Sequence, residues 1–334
     1  MSDVTKIVSD IKKGDIKPIY FLMGEEPYYI DKISEFIEEN ILSEEETGFN
    51  QMVLYGRDVE IGEIIDNAKR FPMMAERQVI IVKEAQDLSR VIENLAPYAA
   101  NPLASTVLVI CYKYKKIDKR KALYKAINKN GGLVYESKKL YENKVDEWIR
   151  RVLAGKKYQI ENKASLMLVE FLGTDLSKIS NELDKLMVIL PAGNTITAKD
   201  IEENIGISKD YNNFELRKAV GEKNVFKANR IINYFAHNQK ANPLIMTISL
   251  LNSFFTQLLI FHSLNDKSKN SAARALGVNP FFISDYVVAA KKYPMRKVSR
   301  IIGLLRDADV KSKGVGANLP AGDILKELLF KIMH

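Results

Sequence analysis

One cysteine, one tryptophan and three histidines are spread over 334 residues. The lone Cys111 excludes an intrachain disulfide and a cysteine-rich metal site. Its place in Val107-Leu108-Val109-Ile110-Cys111 reads as a buried, inert thiol. His237, His262 and His334 share no ligand-like spacing, so no metal is expected. Neither a G-x-S-x-G elbow nor a G-x-G-x-x-G fingerprint occurs, and no catalytic constellation is legible. Met1-Ser2-Asp3-Val4-Thr5-Lys6 lacks the basic start and apolar core of a signal peptide. The longest oily stretch, Leu244 to Phe261, carries Thr247, Ser249, Asn252, Ser253, Thr256 and Gln257, too many polar groups for a bilayer span. The expectation is a reduced, cytoplasmic protein with no membrane partner. No proline- or glycine-rich tract suggests disorder.

What is present is globular: 46% hydrophobic and 28% charged residues, in a chain long enough for two or three domains. Lys+Arg exceed Asp+Glu by 50 to 42, a net +8. That excess permits contact with nucleic acid but is too mild to establish it.

The first third alternates strands and helices. Pro18–Gly24, Gln51–Tyr55, Val79–Val82, Thr106–Cys111 and Leu133–Tyr135 read as five strands, with helical stripes over Asp31–Ile41, Ile61–Ala68 and Val91–Tyr98 between them. The unbroken β-branched run Val79-Ile80-Ile81-Val82 predicts a strand covered on both faces. Together these segments predict an α/β unit with a parallel five-stranded sheet. From Tyr141 the strand signals stop. Stripes such as Val145, Trp148, Ile149, Val152 and Ile179, Leu183, Leu186, Leu190 predict a small helical unit. Its last helix begins at the capping-box-like Thr197-Ala198-Lys199-Asp200. The polar break Gly206–Asn213 marks a boundary, and the remainder reads as helices. The expected division is 1–139 α/β, 140–210 small helical and 211–334 helical. The helix from Leu244, apolar on most sides, predicts a central position or a subunit interface.

A first strand ending in glycine invites a phosphate loop, which needs G-x-x-x-x-G-K-[ST]. The sequence here is Gly24-Glu25-Glu26-Pro27-Tyr28-Tyr29-Ile30-Asp31-Lys32. It has no second glycine and no adjacent lysine, it carries two repelling carboxylates, and Pro27 lacks a donor. The third strand ends in Lys83-Glu84, a cation where a magnesium carboxylate belongs. No cofactor is therefore expected.

Two features stand out. Phe71-Pro72-Met73-Met74 lies where a helix meets the third strand, and Pro72 should stop that helix. Phe71, Met73 and Met74 either plug the helix–sheet interface or offer an adaptable apolar plug to another protein. Lys113, Lys115, Lys116, Lys119, Arg120, Lys121, Lys125 and Lys129 read as a basic helix, either a solvated face or a set of phosphate contacts. Lys311 and Lys313, before Gly314-Val315-Gly316, form a second basic spot.

The combination resembles the delta-subunit family of the bacterial DNA polymerase III clamp loader. The resemblance is carried by Pro18-Ile19-Tyr20-Phe21-Leu22-Met23-Gly24-Glu25-Glu26-Pro27-Tyr28 and Ala75-Glu76-Arg77-Gln78-Val79-Ile80-Ile81-Val82-Lys83. Lys116–Arg120, Trp148-Ile149, Glu182–Leu186 and Asn213–Leu216 add to it in order and spacing. It implies an AAA+ fold without ATPase activity, a lid (140–210) and a collar (211–334), in a non-catalytic subunit of a nucleotidyltransferase holoenzyme. It further implies that Phe71, Met73 and Met74 match the wedge by which the family opens the sliding clamp (the beta subunit). Implied partners are gamma/tau and delta-prime through the collar, and primer–template DNA, which Lys115, Lys116, Lys119, Arg120, Lys311 and Lys313 could contact. A delta-prime-like sister would carry a Ser-Arg-Cys finger and a cysteine cluster, and an active AAA+ ATPase would carry the phosphate loop. All are absent.

Overall fold

The computed structural model describes residues 3–208, 210–240, 242–316 and 319–334. They form two compact units, Met1–Leu140 and Tyr141–His334.

The first unit runs α1 (Asp3–Lys12), β1 (Ile19–Gly24), α2 (Pro27–Asn40), α3 (Glu44–Asn50), β2 (Gln51–Tyr55), α4 (Ile61–Ala68), β3 (Gln78–Lys83), α5 (Ala96–Ala100), β4 (Thr106–Lys113), α6 (Ala122–Lys129) and β5 (Leu133–Ser137). All five strands are parallel, in the order β2-β3-β4-β1-β5. The β-branched runs explain why. Successive side chains point to opposite faces, and here both faces are buried. Phe21, Met23, Ile80, Val82, Leu108 and Ile110 meet Ile64, Leu95, Leu123 and Ile127 on one side. Tyr20, Leu22, Val79, Ile81, Val107, Val109 and Cys111 meet Ile7, Ile11, Ile30, Ile33 and Ile37 on the other. Desolvation there pushes the Cys111 thiol up to about 12.

Several local readings need correction. The helix expected from Asp31 starts at Pro27, where proline's fixed φ suits the first turn and Glu26 caps it by accepting from the Tyr28 amide (3.1 Å). Helix α3 is not among the predicted elements; it opens on Glu44-Glu45-Glu46 with a Ser43/Glu46 capping box. Two 3₁₀ turns (Ala85–Leu88, Ile92–Leu95) and the short α5 replace the single helix expected over 91–98. The basic helix is mostly a loop: β4 extends to Lys113, Tyr114 turns left-handed (φ 59), and Ile117 is buried in the core. Only α6 is helical in that stretch.

The second unit begins with α7 (Glu142–Gly155), β6 (Gln159–Ile160), α8 (Asn162–Leu172), α9 (Leu176–Ile189), β7 (Thr195–Ile196) and α10 (Ala198–Ile205). The parallel pair β6–β7 contradicts the expectation of no strand after Tyr141. Strands of two residues leave no periodicity to read, and their pairing joins segments 36 residues apart in sequence. The capping box at Thr197 is present, with Asp200 Oδ2 accepting from the Thr197 amide at 2.7 Å. Among the described residues seven α-helices follow: α11 (Asn213–Gly221), α12 (Val225–His237), α13 (Leu244–Ser263), α14 (Lys269–Leu276), α15 (Ile283–Lys292), α16 (Met295–Ser312) and α17 (Ala321–Met333). Among the described helices, α13 alone is long and apolar enough to cross a membrane by length and composition, with a mean hydropathy of 1.8. Much of that apolar length is used internally: Ile248, Leu251, Phe254, Phe255, Leu258 and Phe261 lie in a core built from residues of α11 to α17. Ile245, Met246 and Ile260 of the same helix stay exposed.

Candidate functional site

The turn between α4 and β3 is held as backbone and open as side chains. α4 stops at Ala68, and its last carbonyls need partners because no further turn supplies them. The Thr106 and Tyr98 hydroxyls donate to Ala68 O (2.8 and 3.3 Å), and Gln78 Nε2 donates to Asn67 O and Arg70 O (3.2 and 2.5 Å). Beyond Pro72, the buried Asn50 grips Met73 at two points. Its Oδ1 accepts from the Met73 amide at 2.6 Å, and its Nδ2 donates to the Met73 carbonyl at 2.9 Å. Met74 then takes a left-handed backbone (φ 53), which a non-glycine residue adopts only when its surroundings fix it. The side chains point away: Phe71, Met73 and Met74 are 76%, 64% and 106% exposed. Sequence reasoning missed Asn50 and Gln78, whose partners lie 23 and 8 to 11 residues away with no motif linking them.

The crevice at the carboxyl ends of the strands is where open α/β sheets bind ligands. Here it is closed from within. The Gly24 amide donates to Lys115 O (3.0 Å), the Glu26 amide to Ser137 O (3.3 Å) and the Tyr28 amide to Glu26 Oε1 (3.1 Å). A phosphate loop would aim such donors at its ligand. Gly24 itself is dictated by proximity, since an added Cβ would lie 2.0 Å from Ser137 O. Lys113, at the end of β4, pairs with Asp31 (2.8 Å) and Glu84 (2.7 Å). Lys83, at the end of β3, pairs with Glu38 (3.0 Å). Burial disfavours charge on Lys113 and Glu84, but their hydrogen bonds outweigh it. The Lys113 ammonium sits above its ordinary pKa and the Glu84 carboxyl below.

The basic positions fall in two places. Lys115, Lys116, Lys119 and Arg120 share the 114–121 loop of the first unit, all exposed. Lys115 Nζ donates to Ser89 Oγ (2.7 Å), Lys116 pairs with Glu136 and Glu25 (3.0 and 3.3 Å), and Arg120 forks onto Asp118 (2.6 Å). Lys311 and Lys313 belong to the second unit, paired with Glu327 (3.0 Å) and Asp309 (2.6 Å). No cluster of three or more metal-ligating side chains occurs among the described residues.

Strand order and helical partition define an AAA+-like α/β unit, its phosphate-loop position folded shut, followed by helices. The family of the DNA polymerase III delta subunit matches residues 20–137, and that of the delta subunit's C-terminal domain matches residues 210–329. The chain belongs to the DNA polymerase III delta-subunit family. It is 25% identical over 320 residues to the DNA polymerase III subunit delta of Bacillus subtilis, covering 93% of this chain and 92% of that one. To the probable DNA polymerase III subunit delta of Aquifex aeolicus it is 23% identical over 283 residues, covering 79% and 77%. In fold it matches the solved Bacillus subtilis DNA clamp loader delta protein at a TM-score of 0.55, with 22% identity and 99% of each chain covered.

Proposed function

We propose that this chain is the clamp-opening subunit of a clamp loader. Residues 1–139 bind the sliding clamp, 140–210 form a lid, and 211–334 join a collar with gamma/tau and delta-prime. Phe71, Met73 and Met74 enter an apolar pocket of the clamp as a wedge. The observation that carries this reading is three large apolar side chains held outward by a backbone that Asn50 clamps. Burying each is worth about 1.5–3 kcal/mol, enough for two or three anchors to make a binding hot spot. Opening a ring then requires only that the wedge bind the sprung state better than the closed one, with no hydrolysis by this subunit. ATP acts on partner subunits. Membership of the delta-subunit family supports the assignment over a delta-prime-like sister.

Lys115, Lys116, Lys119, Arg120, Lys311 and Lys313 are proposed as phosphate contacts to primer–template DNA in the assembled loader. Arg120 and Asp118 pair in open solvent, where water and salt screen the attraction, so a phosphate can displace the carboxylate.

The test is binding to the sliding clamp of the same organism without ATP, comparing wild type with Met73→Ala/Met74→Ala. Tight wild-type binding, lost in a variant with an unchanged melting temperature, is the expected result. Equal binding by both moves the contact elsewhere, and no binding by either removes the clamp-opening role.

A further inference from the structure

One end of the second unit gathers three cations. Lys223 follows the end of α11, and Lys297 and Arg300 lie in the first two turns of α16. Both ammonium groups lie over the buried Tyr293 ring, 5.4 Å (Lys223) and 5.8 Å (Lys297) from its centroid. Tyr293 donates its hydroxyl to Val220 O at 2.8 Å and so ties this platform to the end of α11. Lys297 Nζ also donates to His334 O at 3.3 Å. Among the described residues, no side-chain carboxylate lies within ion-pairing distance of Lys223, Lys297 or Arg300.

Three independent features make this cluster unfavourable as it stands. Lys223 and Lys297 share the Tyr293 ring, and the Lys223 ammonium, with burial and the Arg300 charge, holds the Lys297 ammonium below its ordinary pKa. Lys297 sits in the first turn of an 18-residue helix, whose positive end favours anions, and no acidic residue occupies that turn. Lys223 adopts a left-handed backbone (φ 53), a place where glycine is the usual residue after a helix. A bound anion would relieve the first two and give the strained lysine a purpose.

We propose that Lys223, Lys297 and Arg300 form a phosphate-binding site where α11 ends and α16 begins. A phosphate offers several acceptor oxygens, enough to take hydrogen bonds from both ammonium groups and the guanidinium at once. The phosphate can come from a DNA backbone or from free phosphate. The inference is independent of the clamp reading and survives if that reading fails.

The experiment uses the full chain with ¹³C-dimethylated lysines, whose signals are assigned through Lys223→Arg and Lys297→Arg. Inorganic phosphate should move both signals and raise the Lys297 pKa. If the source is DNA, the salt slope of primer–template binding should fall by about 2 in Lys223→Gln/Lys297→Gln, from about 0.9 per lost contact. A phosphate response with an unchanged DNA slope supports the site and assigns it to free phosphate. Signals that do not move in phosphate overturn the proposal, as does a response to poly-glutamate alone, which would indicate an acidic protein partner.

Discussion

Asn50→Ala tests whether the corner must be held to work. The side chain makes two hydrogen bonds to the Met73 backbone, at 2.6 and 2.9 Å, and a third to Glu46 O at 3.1 Å. Each neutral bond contributes about 0.5–1.5 kcal/mol net, so releasing Met73 removes roughly 1–3 kcal/mol of local order. If clamp binding must restore that order, affinity falls by the same amount, about 5- to 150-fold at 1.4 kcal/mol per decade. The assay is clamp binding by surface plasmon resonance, with a thermal melt of each variant. Asn50→Asp keeps the acceptor for the Met73 amide but loses both donated bonds, so an intermediate affinity is expected. The reasoning is refuted if Asn50→Ala binds like wild type while Met73→Ala/Met74→Ala does not. The anchors would then act without the clamp on their backbone.

Three further outcomes follow from the packing. Gly24→Ala places a Cβ 2.0 Å from Ser137 O on a backbone at φ 132, so urea melts should show a loss of roughly 3 kcal/mol or more, or no folded protein. Lys113→Met leaves Asp31 and Glu84 without their cation. The depressed Glu84 pKa stabilises the fold above its ordinary 4.5 and loses that effect as pH falls. The raised Lys113 pKa stabilises it below 10.5 and loses that effect as pH rises. The stability difference between wild type and Lys113→Met should therefore be flat between those limits and shrink beyond them, and a difference independent of pH would contradict the ion-pair account. Glu170 lines a cavity of about 510 Å³, and its buried Oε1 has no hydrogen-bond partner. Desolvation pushes its pKa up to about 8 against the pull of Arg217. The folded carboxyl keeps a proton that the unfolded chain releases near 4.5, so stability should fall as pH rises from 4.5 to 8. Glu170→Gln should abolish that fall, and an unchanged slope would place the titration elsewhere.

Strands and helix stripes were legible because their causes are local. β-branched runs, apolar periodicity and the helix-stopping Pro72 act within a few residues, so the sheet, the helical remainder and the position of the corner follow from the amino-acid sequence alone. The degenerate phosphate loop was legible for the same reason, as a missing glycine and lysine in one short segment. Tertiary structure alone decided the rest. Phe71, Met73 and Met74 face outward because Asn50, 23 residues before Met73, holds the turn by both its polar atoms. The expected basic helix becomes a loop because Ile117 gains more from the core than a helical register there would allow. Lys113 is a half-buried counter-ion only because β4 brings it between Asp31 and Glu84, and Lys223 and Lys297 come together only because both lie over the Tyr293 ring. Sequence spacing carries local propensity, whereas hydrogen bonds, ion pairs and charge crowding depend on distances that exist only after the chain has folded.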